Sequence, residues 1–379
     1  MTDKKPQLHR GLKGVYFERS AVSSIDGRAG DLRYRGYSIH ELAENSSFEE
    51  TAYLLIYGEL PTSEQLNQFE SRLKAERSLP APIFDMISVM QSAHPMEVLR
   101  TCVSALGAFD DSPGDSSREA IIEKGIRLTS QVPIIVATHD RIRNGKDPIE
   151  PDESMSHAAH FLYQLTGKQP SEEAIELFDK DLVLHAEHGS NASAFTARVV
   201  TGTDANVYAS VTAGIAALSG PAHGGAAENV MIMAQEVGKP ENAVEYVKER
   251  RRNRLPIMGF GHRVYRAEDP RARHMKEGVK RLSEQMGQPY WYEILQALVE
   301  AMKPWSRHGV NVNVDFYSGV VYHLHGIAVD LFVPIFAIGR TPGWIVQILE
   351  QLEKNILIRP LTLYNGSEPR KYIPIDERD

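Results

Sequence analysis

The side chains that could do chemistry sit in six separate stretches. In GPAHGGAAENVMIMAQEV (220–237), glycines flank Pro221 and His223, and a helix is predicted to begin near Ala226. The positive end of a helix dipole disfavours imidazolium. His223 would stay neutral there and could donate a hydrogen bond to a developing oxyanion. The glycines let a substrate approach the backbone. The same residues also suit a plain turn at a helix start.

The second stretch is GFGHRVYRAEDPRAR (259–273), which sets His262 between two glycines and four arginines. GFG begins like a dinucleotide-binding fingerprint, but Val264 stands at the third glycine position and RRNRLPIM before it does not read as a strand. A better parse makes Asp269 an N-cap and Pro270 the first residue of a helix through ARHMKEGVKRLSEQMG. Arg271 then lies in the first turn, where its guanidinium and free backbone N–H groups could hold an anion. Arg266 could meet a second anion. A solvated basic patch is the competing reading, and Arg263 and Arg273 have no assigned role.

In HGVNVNVDFYSGVVYHLHG (308–326), Asp315 is expected in an asparagine-rich turn, with Ser318 capping the next helix. A loop carboxylate among apolar neighbours has its pKa raised and can serve as a general base. A turn aspartate would look the same. His323 and His325 point to different helix faces, a poor metal pair. In LVLHAEHGSNASAF (182–195), His185 and His188 share a helix face, but zinc would need a further ligand and no HExxH pattern exists. They could be buried and satisfied by backbone or serine, or His188 could hydrogen-bond a polar substrate. Finally, FAIGRTPGW (336–344) sets Arg340 at a Gly/Pro break, and ILIRPLTLY (356–364) sets Arg359 before Pro360. Arginine within apolar sequence needs a carboxylate partner, from the protein or a ligand. Three such arginines suit a substrate with several carboxylates.

The elements that must position these groups read mostly as helices. Thr62 and Gln65 fit a capping box ahead of Leu66, Phe69 and Leu73 on one face. Pro95 and Gly107 bracket a second helix, Asp152 and Gly167 a third. SEEAIELFDKDLVLHAEHG (171–189) is apolar almost all round in its last two turns, so that end should be buried. NVYASVTAGIAALSG (206–220), rich in small residues, belongs in a tight core or a subunit interface, the interface being the favoured reading. The best strand signal is 14–37, with Asp26-Gly27 as a turn. The expected class is mostly α with a small N-terminal β element.

The chain has 379 residues, 42% hydrophobic and 24% charged, with a formal net charge of -8. Nothing in that balance points to nucleic acid or an anionic membrane as partner. One cysteine, Cys102, rules out an internal disulfide and suggests a reducing, cytoplasmic setting. The apolar run 327–339 is too short to span a bilayer and carries Asp330 and Pro334, so it reads as a buried core helix.

Taken together, GPAHGGAAENV (220–230), GFGHRVYRAEDPR (259–271), NVNVDFYSGV (311–320), AEHGSNAS (186–193) and GR…IRP (339–360) resemble the citrate synthase family in its short bacterial form, close to the 2-methylcitrate synthases. AHPMEVLRTCVSALG (93–107) and GDLRYRGYSIHELA (30–43) also look familial, and the likeness runs from about residue 10 to the C-terminus with every block in family order. The resemblance implies an all-α, two-domain homodimer. Residues 1–222 and 327–379 would form a large domain, and 223–326 a small mobile domain. It implies condensation of an acyl-CoA with oxaloacetate, followed by thioester hydrolysis to citrate or 2-methylcitrate. Asp315 would take the α-proton, His223 would stabilise the enol oxygen, and His262 would polarise and protonate the ketone. His188, Arg271, Arg340 and Arg359 would bind oxaloacetate, with Arg359 coming from the partner subunit. Leu255, Pro256, Ile257, Met258, Gly259 and Phe260 would line the adenine site, Arg266 and Arg10 would meet CoA phosphates, and Asn313 the pantetheine arm. No metal and no resident cofactor are implied; acyl-CoA enters as co-substrate. The blocks at 93–107 and 182–195 look most like the methylcitrate branch, which points to dual specificity. Two other classes stay open: a catalytically silent helical dimer that binds ligands, and a metal hydrolase built on His185 and His188.

Overall fold

The computed structural model describes residues 7–12 and 14–378. The strand signal resolves into a small antiparallel sheet. Strands β1 (Ser23–Asp26), β2 (Asp31–Tyr34) and β3 (Tyr37–Ser38) lie in the order β1-β2-β3. The Asp26-Gly27 turn forms as expected: Asp26 Oδ1 accepts the N–H groups of Arg28 and Ala29 at 2.8 and 3.0 Å. All other regular structure among the described residues is helix, apart from one isolated bridge between Phe260 and Val312.

Local chemistry explains most helix ends. The Thr62–Gln65 capping box closes reciprocally at the start of the helix Ser63–Ala75, with Phe69 and Leu73 buried. Pro95–Leu106 runs as bracketed. Ser171 caps Glu172–His185, whose last turn is fully buried. Two expectations need correction. Ser156, not Asp152, caps His157–Thr166, because the Asp152 carboxylate is already engaged by the N–H and hydroxyl of Ser154. Gly167 ends that helix at φ 73°, the left-handed position that glycine tolerates best.

The other is the break expected at Arg340. There is none: a single helix, Phe332–Glu353, runs through Gly339, Arg340 and Pro342. Its glycines serve close packing instead. A Cβ on Gly339 would lie 3.2 Å from His185 Cβ, and one on Gly343 would run into the Ala186 carbonyl oxygen. The helix and the preceding turn are long and apolar enough to cross a membrane, but they are almost entirely buried inside the molecule. It is the core helix anticipated at 327–339, extended to Glu353. It packs against Arg118–Arg143, Ala192–Thr201, Val207–Leu218 and Glu172–His185.

The small-residue helix Val207–Leu218 lays one face in this core, with Gly214 against the Trp344 indole. Its other face presents Ala209 and Ala216 outward. The 226–324 region packs its own helices together: Ala226–Val237 and Ala272–Gln285 both lie against Asp315–Leu324.

Candidate active site

His223 sits in the turn between Val207–Leu218 and Ala226–Val237, so the helix begins where the sequence placed it. Gly224 lets that turn close, since a Cβ there would collide with the Leu218 carbonyl. The Ser193 backbone N–H points at His223 Nε2 at 3.2 Å, with Ser193 Oγ at 3.0 Å. A backbone N–H can only donate, so Nε2 is an acceptor. The neutral ring then carries its proton on Nδ1. Burial, followed by the charge of Arg340, pushes the imidazole pKa down to about 4.

His262 has the opposite tautomer. Its Nδ1 accepts the N–H groups of Val264 and Tyr265 at 3.0 and 3.2 Å, which leaves the proton on Nε2. Burial, then Arg271, also lowers this pKa to about 4. The His262 ring centre lies 5.2 Å from that of His188 and 4.7 Å from that of Tyr265. His188 is buried, its Nε2 3.0 Å from the Tyr265 hydroxyl, and burial holds it neutral, well below the ordinary histidine range.

Arg271 is buried and forked onto Asp269, Nε to Oδ1 at 2.9 Å and Nη2 to Oδ2 at 2.7 Å. Burial alone would raise the Asp269 carboxyl, but the Arg271 charge and hydrogen bonds hold it below its usual value. This pairing corrects the expected cap. The regular helix starts at Ala272 with Arg271 in the cap position; the Asp269 carboxylate accepts the Arg271 N–H, as a cap would, but is mainly taken up by the Arg271 guanidinium. Arg340 has no such partner. Its Nε donates to the His185 carbonyl at 2.5 Å, its guanidinium carbon lies 4.8 Å from the Phe336 ring centre, and its Nη1 is buried without a hydrogen bond. Burial lowers its pKa to about 10.

Asp315 is the first residue of the helix Asp315–Leu324 rather than part of a loop, and Ser318 does not cap it. The Ser318 hydroxyl instead donates to Asp181 Oδ1 at 2.7 Å, and Tyr322 also reaches Asp181. These bonds pin the Asp315 helix to Glu172–His185. Burial raises the Asp315 carboxyl above its ordinary value, with Arg271 and Asp269 among the charges acting on it.

The segment 255–261 is tied to 311–313. Gly261 N–H donates to Asn311 O at 2.7 Å, Asn313 N–H to Gly259 O at 2.9 Å, and Asn313 Nδ2 to Gly261 O at 3.0 Å. Gly259 takes φ 74°, and a Cβ there would lie 2.6 Å from Phe316 Cδ2. Ile257 is buried, Pro256 and Leu255 face outward, Met258 and Phe260 are half-buried, and the buried Asn313 leaves its Oδ1 without a partner. Arg266 is exposed beside this segment, and Arg10 lies in an exposed turn. Arg359 is not brought to the others; it is exposed on the extended stretch after Glu353.

For the metal reading, His185 Nδ1 is engaged by the Asp181 carbonyl at 2.9 Å. Among the described residues no group of three His, Cys, Asp or Glu is arranged to hold an ion. Sequence reasoning missed Tyr265, Ser193 and Phe336. Phe336 carried a signal, being four residues before Arg340 on the same helix face. Nothing in the sequence links Ser193 to His223, 30 residues on.

The family model described as "Citrate synthase, C-terminal domain" matches residues 11–361. The chain belongs to the citrate synthase family. It is 45% identical over 371 residues to "Citrate synthase 2" of Bacillus subtilis (strain 168), covering 97% of this chain and 99% of that one. It is 40% identical over 378 residues to "2-methylcitrate synthase 1" of Corynebacterium glutamicum, covering 98% and 99%. Among solved structures, the citrate synthase of the thermophilic archaeon Thermoplasma acidophilum, a ternary complex with carboxymethyl coenzyme A and oxaloacetate, superposes with a TM-score of 0.91 at 29% identity, covering 98% of this chain and 100% of that one. The citrate synthase fold thus accounts for the helical architecture and for the order of the blocks.

Proposed function

We propose that this protein condenses an acyl-CoA with oxaloacetate and hydrolyses the product thioester, accepting both acetyl-CoA and propionyl-CoA. The observation that carries the reading is the pair of neutral histidines held by backbone N–H groups in opposite tautomers; Arg271, whose charge acts on His262, also acts on the Asp315 carboxyl of raised pKa. Asp315 takes a proton from the thioester α-carbon while His223 Nδ1–H hydrogen-bonds the forming enol oxygen. The enol carbon attacks the oxaloacetate ketone, and His262 Nε2–H delivers a proton to the new alkoxide. Water then cleaves the thioester and releases CoA. His188, Arg271, Arg340 and Arg359 hold oxaloacetate; the orphaned Arg340 Nη1 suits a substrate carboxylate. The 255–260 segment, Arg266 and Asn313 receive CoA, and Arg10 is a further candidate for its phosphates.

Residues 223–326 would act as a mobile domain closing on 1–222 and 327–379, excluding water until the carbon–carbon bond is made. A second copy of the chain would supply Arg359. That assembly is supported by the extended C-terminal stretch, where Leu361 and Tyr364 are 88% and 76% exposed and would gain cover. Dual specificity is supported by relatives of both names at 45% and 40% identity. It is also supported by the small worth of one methylene, about 1–3 kcal/mol. Measuring CoA release with oxaloacetate and each thioester tests the reading: both should be turned over. No release with either from folded protein overturns it. A kcat/KM ratio above about 1000 overturns dual specificity alone.

A further inference from the structure

Glu187 stands one residue before His188 and is completely buried, yet the condensation mechanism gives it no task. Its Oε1 accepts hydrogen bonds from Ser23 Oγ at 3.1 Å and Gln347 Nε2 at 2.9 Å. Its Oε2 has no partner, and neither does Arg340 Nη1. The two side chains are neighbours across the packed Gly343 contact, where a Cβ would lie 2.9 Å from Glu187 Oε2 and 3.1 Å from Arg340 Cδ, and Arg340 is the foremost charge acting on Glu187. They nevertheless form no hydrogen bond with each other.

Buried polar atoms left without partners are costly, and two orphaned atoms on neighbouring side chains of opposite charge leave hydrogen-bonding capacity for a third group. A ligand carboxylate fits only one way. It accepts readily from Arg340 Nη1, but beside an ionised Glu187 it would meet a like charge. If Oε2 is protonated, the same carboxylate accepts a second, short hydrogen bond from it.

We propose that Glu187 is a proton-gated binding residue for oxaloacetate: an anionic counter-charge to Arg340 in the empty site, and a neutral O–H donor to the substrate carboxylate in the filled one. Oxaloacetate therefore binds together with a proton. This role rests on oxaloacetate being the substrate of the site.

The surroundings favour such a switch. Burial pushes the Glu187 carboxyl up to about 7, against the pull of Arg340 and the hydrogen bonds from Gln347 and Ser23. The charged and titratable groups facing it are few. Arg340 comes from the long core helix and Tyr34 from β2, the latter with its hydroxyl 3.3 Å from the Glu187 N–H. Arg35 is held by the Leu55 carbonyl at 2.8 Å. Beyond Gln347, Arg198 is paired to Glu350 at 2.7 Å. His188 is neutral and Arg271 is committed to Asp269. A bound dianion raises the Glu187 carboxyl further, so proton uptake is expected at and above neutral pH. His223 and His262 titrate near 4, far from this window.

The test is calorimetric titration of the intact protein with oxaloacetate alone, in two buffers of different ionisation heat, from pH 6.5 to 9. Wild type should take up as much as one proton per site above pH 7, and its affinity should fall by up to tenfold per pH unit there. Glu187→Gln, which presents a permanent neutral donor, should take up none, and its oxaloacetate KM should stay flat over the same range. If that variant does not fold, Glu187→Asp keeps a titrating carboxyl and should keep the uptake. Wild type that binds oxaloacetate and turns over thioester without proton uptake overturns this inference and leaves the synthase reading intact. Uptake that persists in Glu187→Gln overturns it as well. Wild type that neither binds oxaloacetate nor releases CoA overturns both.

Discussion

At the residue scale, catalysis by this site depends on protons being on the right atoms before substrate arrives. Neutral imidazoles donate only from the nitrogen that carries hydrogen, and here backbone N–H groups make that choice for both histidines. The proposed base, Asp315, is a carboxyl whose pKa burial raises. Asp315→Asn keeps the shape and removes the base. Its kcat should fall by roughly 100- to 10,000-fold, while oxaloacetate affinity measured by calorimetry stays within a few-fold. Near-normal turnover would remove Asp315 from the role of base. The residue types were legible from the sequence: His223, His262, Asp315 and Arg340 each stand out beside glycine, proline or apolar neighbours. The tautomers were not, because Ser193 reaches His223 only through a contact that the fold creates.

At the element scale, the core helix Phe332–Glu353 is what sets Arg340 beside Glu187. Gly343 lets it approach the end of Glu172–His185, where a Cβ would meet the Ala186 carbonyl. That obstacle is backbone and has little freedom to move. Gly343→Ala should destabilise the protein by about 1–3 kcal/mol, read as a lower urea midpoint with unchanged slope; unchanged stability would show that the two helices can separate at no cost. A second contact joins Ile39–Asn45 to Ala272–Gln285, through His40 Nδ1 and His274 Nε2 at 2.7 Å. Burial, then His40 and Arg273, pushes His274 down to about 4, against Glu44. The unfolded chain therefore binds a proton at His274 near pH 6.5 that the folded chain refuses. Its stabilising effect is complete above pH 6.5 and is lost as pH falls toward 4. His274→Gln should show a smaller drop in Tm between pH 6.5 and 4.5 than wild type; equal drops would remove this pair from the acid response.

At the scale of the whole molecule, one proposed oxaloacetate ligand lies apart from the other candidate site residues. Arg359 is exposed on a stretch whose apolar side chains are uncovered. A second copy of the chain would repair both deficits at once. Sedimentation should give a dimer, and Arg359→Ala should raise the oxaloacetate KM by about 10- to 100-fold, the worth of a charge-assisted hydrogen bond, without dissociating it. A stable monomer with full activity would refute the shared site.

The amino-acid sequence by itself determined the helical class, the β turn at Asp26-Gly27 and the helix starts at Thr62, Pro95 and Ala226, and it singled out the candidate site residues. These stem from local rules: caps, periodicity, and the chemistry of a histidine or arginine set among glycines and apolar residues. Tertiary structure decided which of those groups share a site and in what protonation state they wait. Asp269 turned from helix cap to Arg271 partner, Ser318 from cap to anchor on Asp181, and the expected break at Arg340 became continuous helix. Each reversal has the same physical cause. A short-range signal offers a side chain several equivalent partners, and burial against a distant segment leaves it only one.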